Sequence, residues 1–313
     1  MLADRSADAS TLSIVDPTTA HLGPDRSDAQ DMLGSRPGLL RALWQNRNGR
    51  VGILLVGLVV LGALISELGL TRYDPQTQDP NAVLQSPSLA HLFGTDQFGR
   101  DVFSLVLEGI GVSLEIAVIA LIIAGGIGTL GGIVAGYVGG AASWTILRAT
   151  DIVFAIPAIL LALAIVAALG PGIFDSALAI GVGYIPIFVR VVRAPVLALR
   201  EADFVRAGRV LGYSRLRLLF RHILPSVSGA IAVQVSLALA WAILAEASLS
   251  FLGLGPPPPT ASLGEMVSQS SSLASIAWWT LAGPSLAIVL AVTGFNFLGD
   301  GLRDAADPRS RGR

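Results

Sequence analysis

The chain has 313 residues, 53% hydrophobic and 14% charged, with a mean hydropathy of +0.69 and a formal net charge of −1. A soluble domain carries about 25% charged residues, so this composition excludes a water-soluble globule and points to the bilayer as solvent. All 21 basic residues are Arg, which excludes a P-loop, G-x-x-x-x-G-K-S/T, because its Lys must reach the phosphates of ATP. The absence of Cys removes disulfides, thiol nucleophiles and zinc–thiolate sites. His21, His91 and His222 are too scattered to read as a metal site.

In chain order, residues 1–35 are polar and rich in Asp, Ser, Thr and Pro, without the basic start and apolar core of a secretory signal. This composition predicts a disordered tail. The uncharged stretch 51–66 predicts a first span at about 51–69. Residues 116–147 are uncharged over more than one span needs, so a second span is expected at about 112–136, with a turn at Gly139-Gly140. Residues between Asp151 and Asp175 predict a third at 152–172, and 176–196 a fourth, with Arg190 and Arg193 snorkelling from its end. A fifth is expected at 228–250, and a sixth at 278–299, opened by the interfacial pair Trp278-Trp279.

Six spans place both termini on one side. That side then carries 19 Arg, against Arg72 and Arg100 opposite, which predicts a cytoplasmic Arg-rich face. In the second span Ala124, Gly128, Gly132, Gly136 and Gly140 recur every four residues. Such a stripe lets helices approach closely, against either another helix of this chain or a partner subunit. Pro157, Pro186 and Pro284 fall within spans and need no functional account.

The most informative segment is 199–226. Apolar residues at Phe204, Val205, Val210 and Leu211, then at Leu216, Leu218, Leu219 and Phe220, have helical spacing. Gly212 breaks the pattern, and Pro225 marks entry to the next span. Six Arg from 200 to 221 rim this helix–turn–helix. On physics alone it also fits a surface helix held by anionic lipid.

The loop resembles the "EAA" loop of type I ABC importer permeases, E-A-A-x3-G-x9-I-x-L-P. Gly212 stands at the G, and His222, Ile223, Leu224 and Pro225 at I-x-L-P. Arg206, Ala207 and Gly208 stand at E-A-A, so Arg206, Gly208 and His222 depart from the pattern. Further blocks are Gly94-Thr95-Asp96-Gln97-Phe98-Gly99-Arg100-Asp101, Glu246-Ala247-Ser248-Leu249-Ser250-Phe251-Leu252-Gly253 and Asn296-Phe297-Leu298-Gly299-Asp300. Leu263-Gly264 departs from the usual Trp-Gly. Together, over about 90–309, the chain resembles C-type permease subunits of dipeptide/oligopeptide ABC importers.

The resemblance implies an all-α membrane protein with six transmembrane helices in the type I importer fold. Residues 1–35 would be a cytoplasmic tail, 36–108 the first helix plus an extracytoplasmic segment, 109–302 the type I domain, and 303–313 a cytoplasmic tail. It implies that Arg206, Ala207, Gly208, Gly212, Leu224 and Pro225 belong to an ATPase-coupling loop. Implied partners are a homologous B-type permease forming a heterodimer, two ATPase subunits, an extracytoplasmic binding protein and membrane lipid, with no nucleic acid. The chain itself would bind no cofactor and no metal and catalyse nothing, ATP and Mg being used by the ATPases. The expected location is the bacterial plasma membrane, and the expected substrates are peptides, with nickel complexes, glutathione or antimicrobial peptides as alternatives.

Three polar features stay open. Asp101 suits a helix N-terminus or a binding-protein contact. Glu246 lies inside a span, where a carboxylate is a functional candidate, although bonding to helix ends is the favoured reading. Asp300 and Arg303, three residues apart, are expected to pair. A secondary transporter ranks behind the importer, because Glu246 is its single candidate coupling group and no inverted repeat is evident. An intramembrane protease lacks the needed nucleophile, base or metal ligands.

Overall fold

The structure, a computed structural model, describes residues 43–306 apart from Gln45. The predicted tail 1–35 and the last seven residues lie outside that range. The helices are α1 (Arg47–Glu67), α2 (Val102–Tyr137), α3 (Gly140–Phe154), α4 (Ala158–Leu169), α5 (Ile173–Arg200), α6 (Asp203–Val210), α7 (Arg215–Leu218), α8 (Leu224–Phe251), α9 (Leu263–Ser271) and α10 (Trp278–Ala306). A π-helical turn, Leu219–Ile223, joins α7 to α8. No strand occurs among the described residues. Five helices are long and apolar enough to cross a membrane, and α3 with α4 makes a sixth candidate bent by 84°.

Local chemistry explains where the helices depart from the expected bounds. Helix α2 begins ten residues earlier than 112, because Asp101 caps it and accepts the Ser104 N–H at 2.9 Å. Glu108 does not stop it. Its carboxylate receives the Gln76 amide at 2.9 Å and the Ala261 N–H at 3.2 Å, tying two loops to the helix. Gly139 and Gly140 take φ of +73° and +59°, which makes the turn into α3. The expected span 152–172 is instead divided between α3 and α4, because Pro157 offers no N–H and disfavours helical backbone before it. Helix α5 runs through Pro186 and Pro195 to Arg200. The short helix α9 has no counterpart in the sequence expectation. Asp300 and Arg303 are both exposed and form no ion pair, in keeping with the small gain available to a solvated pair.

The small-residue stripe is a seam within the chain. A Cβ at Gly128 would lie 2.4 Å from Phe188 Cβ, at Gly132 2.7 Å from Val192 Cβ, and at Gly136 2.8 Å from Val196 Cγ1. Phe188, Val192 and Val196 recur every four residues along α5 and are fully buried. The two long helices thus lie close enough that only hydrogen fits between them at three successive turns. Gly140 has nothing within 4 Å and lies beyond the seam. Elsewhere, Ser236 donates to the Phe295 carbonyl at 2.7 Å, joining α8 to α10.

Replacing Gly132 by Leu should therefore lower stability by about 1–3 kcal/mol or more, the overpacking range. Gly126, also on α2, has open space around its Cβ position. Gly126→Ala should leave stability unchanged or raise it by about 0.5–1 kcal/mol. Thermal unfolding in detergent, followed by Trp fluorescence, separates the two variants.

Candidate functional site

Three polar constellations and one cavity stand out, at different levels of the helix bundle. The first is the Arg-rich loop. Helix α6 ends in a Schellman turn, in which Tyr213 N–H returns to the Gly208 carbonyl and Gly212 N–H to the Arg209 carbonyl, both at 3.0 Å. Gly212 has φ +76°, which suits glycine at that position. Ser214 then caps α7 by accepting the Arg217 N–H at 3.3 Å. Gly208 is buried, and a Cβ there would meet Leu218 Cδ2 at 2.6 Å. Its departure from E-A-A thus lets α6 and α7 close on each other.

The amphipathic pattern divides into two sets. Val205, Leu218 and Ile223 turn inward and pack with Ile133 and Tyr137 of α2, Val192 and Val196 of α5, and Val227 of α8. Each fully buried aliphatic side chain contributes about 1.5–3 kcal/mol, so three of them fasten the loop firmly to three spans. Phe204, Val210, Leu211, Leu216 and Phe220 instead remain exposed, Val210 at 88%. Ala207 and Arg206 are exposed beside them, and Arg206 approaches Glu201 at 3.6 Å. Leu224 is half-buried against the inward cluster, and Pro225 stands at the start of α8 directly after the π-helical turn. The π-helical turn before it was not legible in the sequence.

The second constellation surrounds Glu246, which is 0% exposed. Its carboxylate accepts hydroxyls from Ser113 of α2 at 2.6 Å, Ser250 of α8 at 2.7 Å and Ser262 ahead of α9 at 3.0 Å. Such a group must be satisfied inside the protein, and here it fastens three segments to one another. Nearby, Gly264 lies so close to α8 that a Cβ would overlap the Ala247 carbonyl.

The Gly94–Asp101 block is equally self-satisfied. Asp96 accepts the Phe98 and Arg100 N–H groups and pairs with Arg100 Nε at 2.7 Å. Asp101 caps α2 and bonds His91 at 2.9 Å, and Trp279 Nε1 donates to the Thr95 carbonyl at 3.1 Å. The cap is the role that the geometry displays.

The cavity lies between the α3–α4 bend, α5 and α8, with a volume of 640 Å³. No charged residue lines it; its polar groups come from Tyr184, Gln234, Trp241 and Ser248. Among the described residues, the Tyr184 hydroxyl and the Gln234 amide have no hydrogen-bond partner. The sequence reading did not single these residues out. Their signal was present, since Gln234, Trp241 and Ser248 recur every seven residues and so share one face of α8. No group of His, Asp and Glu that could hold a metal occurs among the described residues.

Glu246→Leu should leave three buried hydroxyls without their acceptor and lower stability by at least about 2 kcal/mol, whereas Ser262→Ala should cost about 1 kcal/mol. Unfolding midpoints of the purified variants test this ordering.

Comparison with known proteins follows the same lines. Residues 128–312 match the family described as binding-protein-dependent transport system inner membrane component. A putative peptide transport system permease of Brucella abortus is 42% identical over 285 residues, covering 88% of this chain and 94% of the relative. A dipeptide transport system permease of Alkalihalophilus pseudofirmus is 41% identical, covering 87% and 89%. A glutathione transport system permease of Escherichia coli O6:K15:H31 is 42% identical, covering 83% and 86%. A solved structure of the MetNI methionine ABC transporter in inward-facing conformations superposes with a TM-score of 0.54 at 18% identity, covering 64% of this chain and 96% of that one. That likeness concerns the fold alone.

Proposed function

The chain belongs to the binding-protein-dependent transport system inner membrane component family, and we propose that its cargo is short peptides and that its Arg-rich loop is where ATP-driven motion enters. It is a multi-pass permease component of a bacterial ABC transporter and a non-catalytic one. The observation that carries the coupling role is the division of the loop into an inward set locked to α2, α5 and α8 and an outward set left bare in the single chain. A push on the outward residues is transmitted to three spans as one body.

In this reading Arg206, Ala207, Val210 and Leu211 seat in a groove of an ATPase subunit. A homologous permease completes the pathway, and a second ATPase serves it. The ATPases hold ATP and Mg, and an extracytoplasmic binding protein delivers cargo at the Glu246 end. The Arg-rich end, with both termini, faces the cytoplasm, because positive residues near spans are retained there. The 640 Å³ cavity is this subunit's share of the pathway, and its uncharged lining suits cargo that is released rather than held. Peptide cargo is favoured by the peptide and dipeptide systems among the relatives. Glutathione is a second reading because a glutathione permease is equally similar.

Val210→Asp should abolish co-purification of the ATPases and reduce uptake of labelled dipeptide to background, while the chain still inserts in the membrane. Normal assembly and uptake in that variant would remove the docking role. A reporter enzyme active only in the cytoplasm, inserted after Val210, should be active; a signal from an exported reporter at the same place would reverse the assigned sidedness.

A further inference from the structure

A groove of 350 Å³ opens at the Arg-rich end, between the last turn of α2, the last turn of α5, and the helix pair α6–α7. Tyr137, Arg200, Arg209, Tyr213 and Arg215 line it, and no carboxylate does. It has room for about twelve waters at roughly 30 Å³ each, enough for a phosphate and a small substituent.

The charges in it are unevenly satisfied. Glu201 is shared by Arg200 at 3.3 Å and Arg206 at 3.6 Å, and Asp203 opens α6 without an ion pair among the described residues. Arg209 donates to the Arg200 carbonyl at 3.1 Å and lies 5.8 Å from the Tyr137 ring centre, so its guanidinium is positioned without being neutralised. Among the described residues, Arg209 and Arg215 have no acidic partner. The position of Arg209 on α6 also separates it from the proposed docking face. At about 100° per residue, Ala207 and Val210 lie opposite the buried Val205 and Gly208, while Arg209 leaves from the flank next to Val205.

We propose that this groove binds a phosphate-bearing anion, supplied by the headgroup of an anionic phospholipid of the adjoining leaflet or by soluble phosphate. Arg forms forked, charge-assisted hydrogen bonds to phosphate. Basic pockets between helix ends on the cytoplasmic side are suited to anionic headgroups. The site bridges α2, α5 and the loop, so a bound anion neutralises the guanidiniums that the fold gathers and braces the loop against the spans. The placement at the bilayer surface rests on the transmembrane reading above.

The full-length chain, purified with its transporter from mixed phosphatidylcholine–phosphatidylglycerol membranes, should retain phosphatidylglycerol, counted by mass spectrometry. Arg209→Gln and Arg215→Gln should each weaken retention by about tenfold, the size of one lost charged hydrogen bond. Arg221→Gln, an exposed Arg of the same segment outside the groove, should keep it. In lipid-free detergent, a rise in unfolding midpoint with inorganic phosphate that Arg209→Gln abolishes, without phosphatidylglycerol retention, assigns the site to the soluble anion. The proposal is overturned if neither probe responds, or if Arg221→Gln loses lipid as fully as Arg209→Gln. ATPase co-purification of Val210→Asp is read from the same preparations. If it is normal, the docking role fails and the phosphate site stands.

Discussion

Inside a bilayer, helices gain nothing by hiding apolar surface from one another, since lipid tails are equally apolar. What remains is close packing, and this protein concentrates it where α2 meets α5. Gly128, Gly132 and Gly136 bring the two backbones together over three turns, against Phe188, Val192 and Val196. Helix α2 is about 54 Å long at 1.5 Å per residue, and the seam occupies the three turns toward its C-terminal end as a local spine. Val192 and Val196 belong both to the seam and to the apolar cluster that holds the loop. The spine therefore continues without interruption into the segment that faces the ATPases in the proposed assembly.

The two ends of the bundle are fastened by different chemistry, each suited to its surroundings. Next to water, the Arg-rich loop is held by burial of Val205, Leu218 and Ile223, where the hydrophobic effect operates in full. At the other end, near lipid depth, a single carboxylate joins Ser113, Ser250 and Ser262, because polar groups there have few alternatives. The cavity lies between these two fastenings, against the α3–α4 bend, where Pro157 interrupts the backbone. Rigid ends and an interrupted span beside the cavity are what a subunit needs if it is to move as a body and still open a path.

Much of this was legible in the sequence. The membrane class, the positions of five spans, the Gly212 break and the Trp278 start follow from local rules, because left-handed glycines, interfacial aromatics and hydrocarbon thickness act over a few residues. The loop was recognisable because its Gly212-to-Pro225 spacing is kept even where Arg206 and Gly208 depart from the pattern. Less legible were the extent of α2 and the division of the third span. The early part of α2 includes Glu108, whose partners, Gln76 and Ala261, are 32 and 153 residues away in the chain. Pro157 falls within the third span, and the size of the 84° bend there depends on what the two halves pack against.

Composition and pattern by themselves determined the solvent, the number of candidate spans, the lack of a P-loop and the segment that resembles a coupling loop. Those properties are carried by residues near one another in the chain. Only the tertiary structure decided whether the glycine stripe faces its own chain, what satisfies Glu246, which apolar residues of the loop turn inward, and that Arg200, Arg209 and Arg215 share a groove with Tyr137. Each of these is a contact between distant segments, and periodicity along one helix states which face is special without stating what meets it.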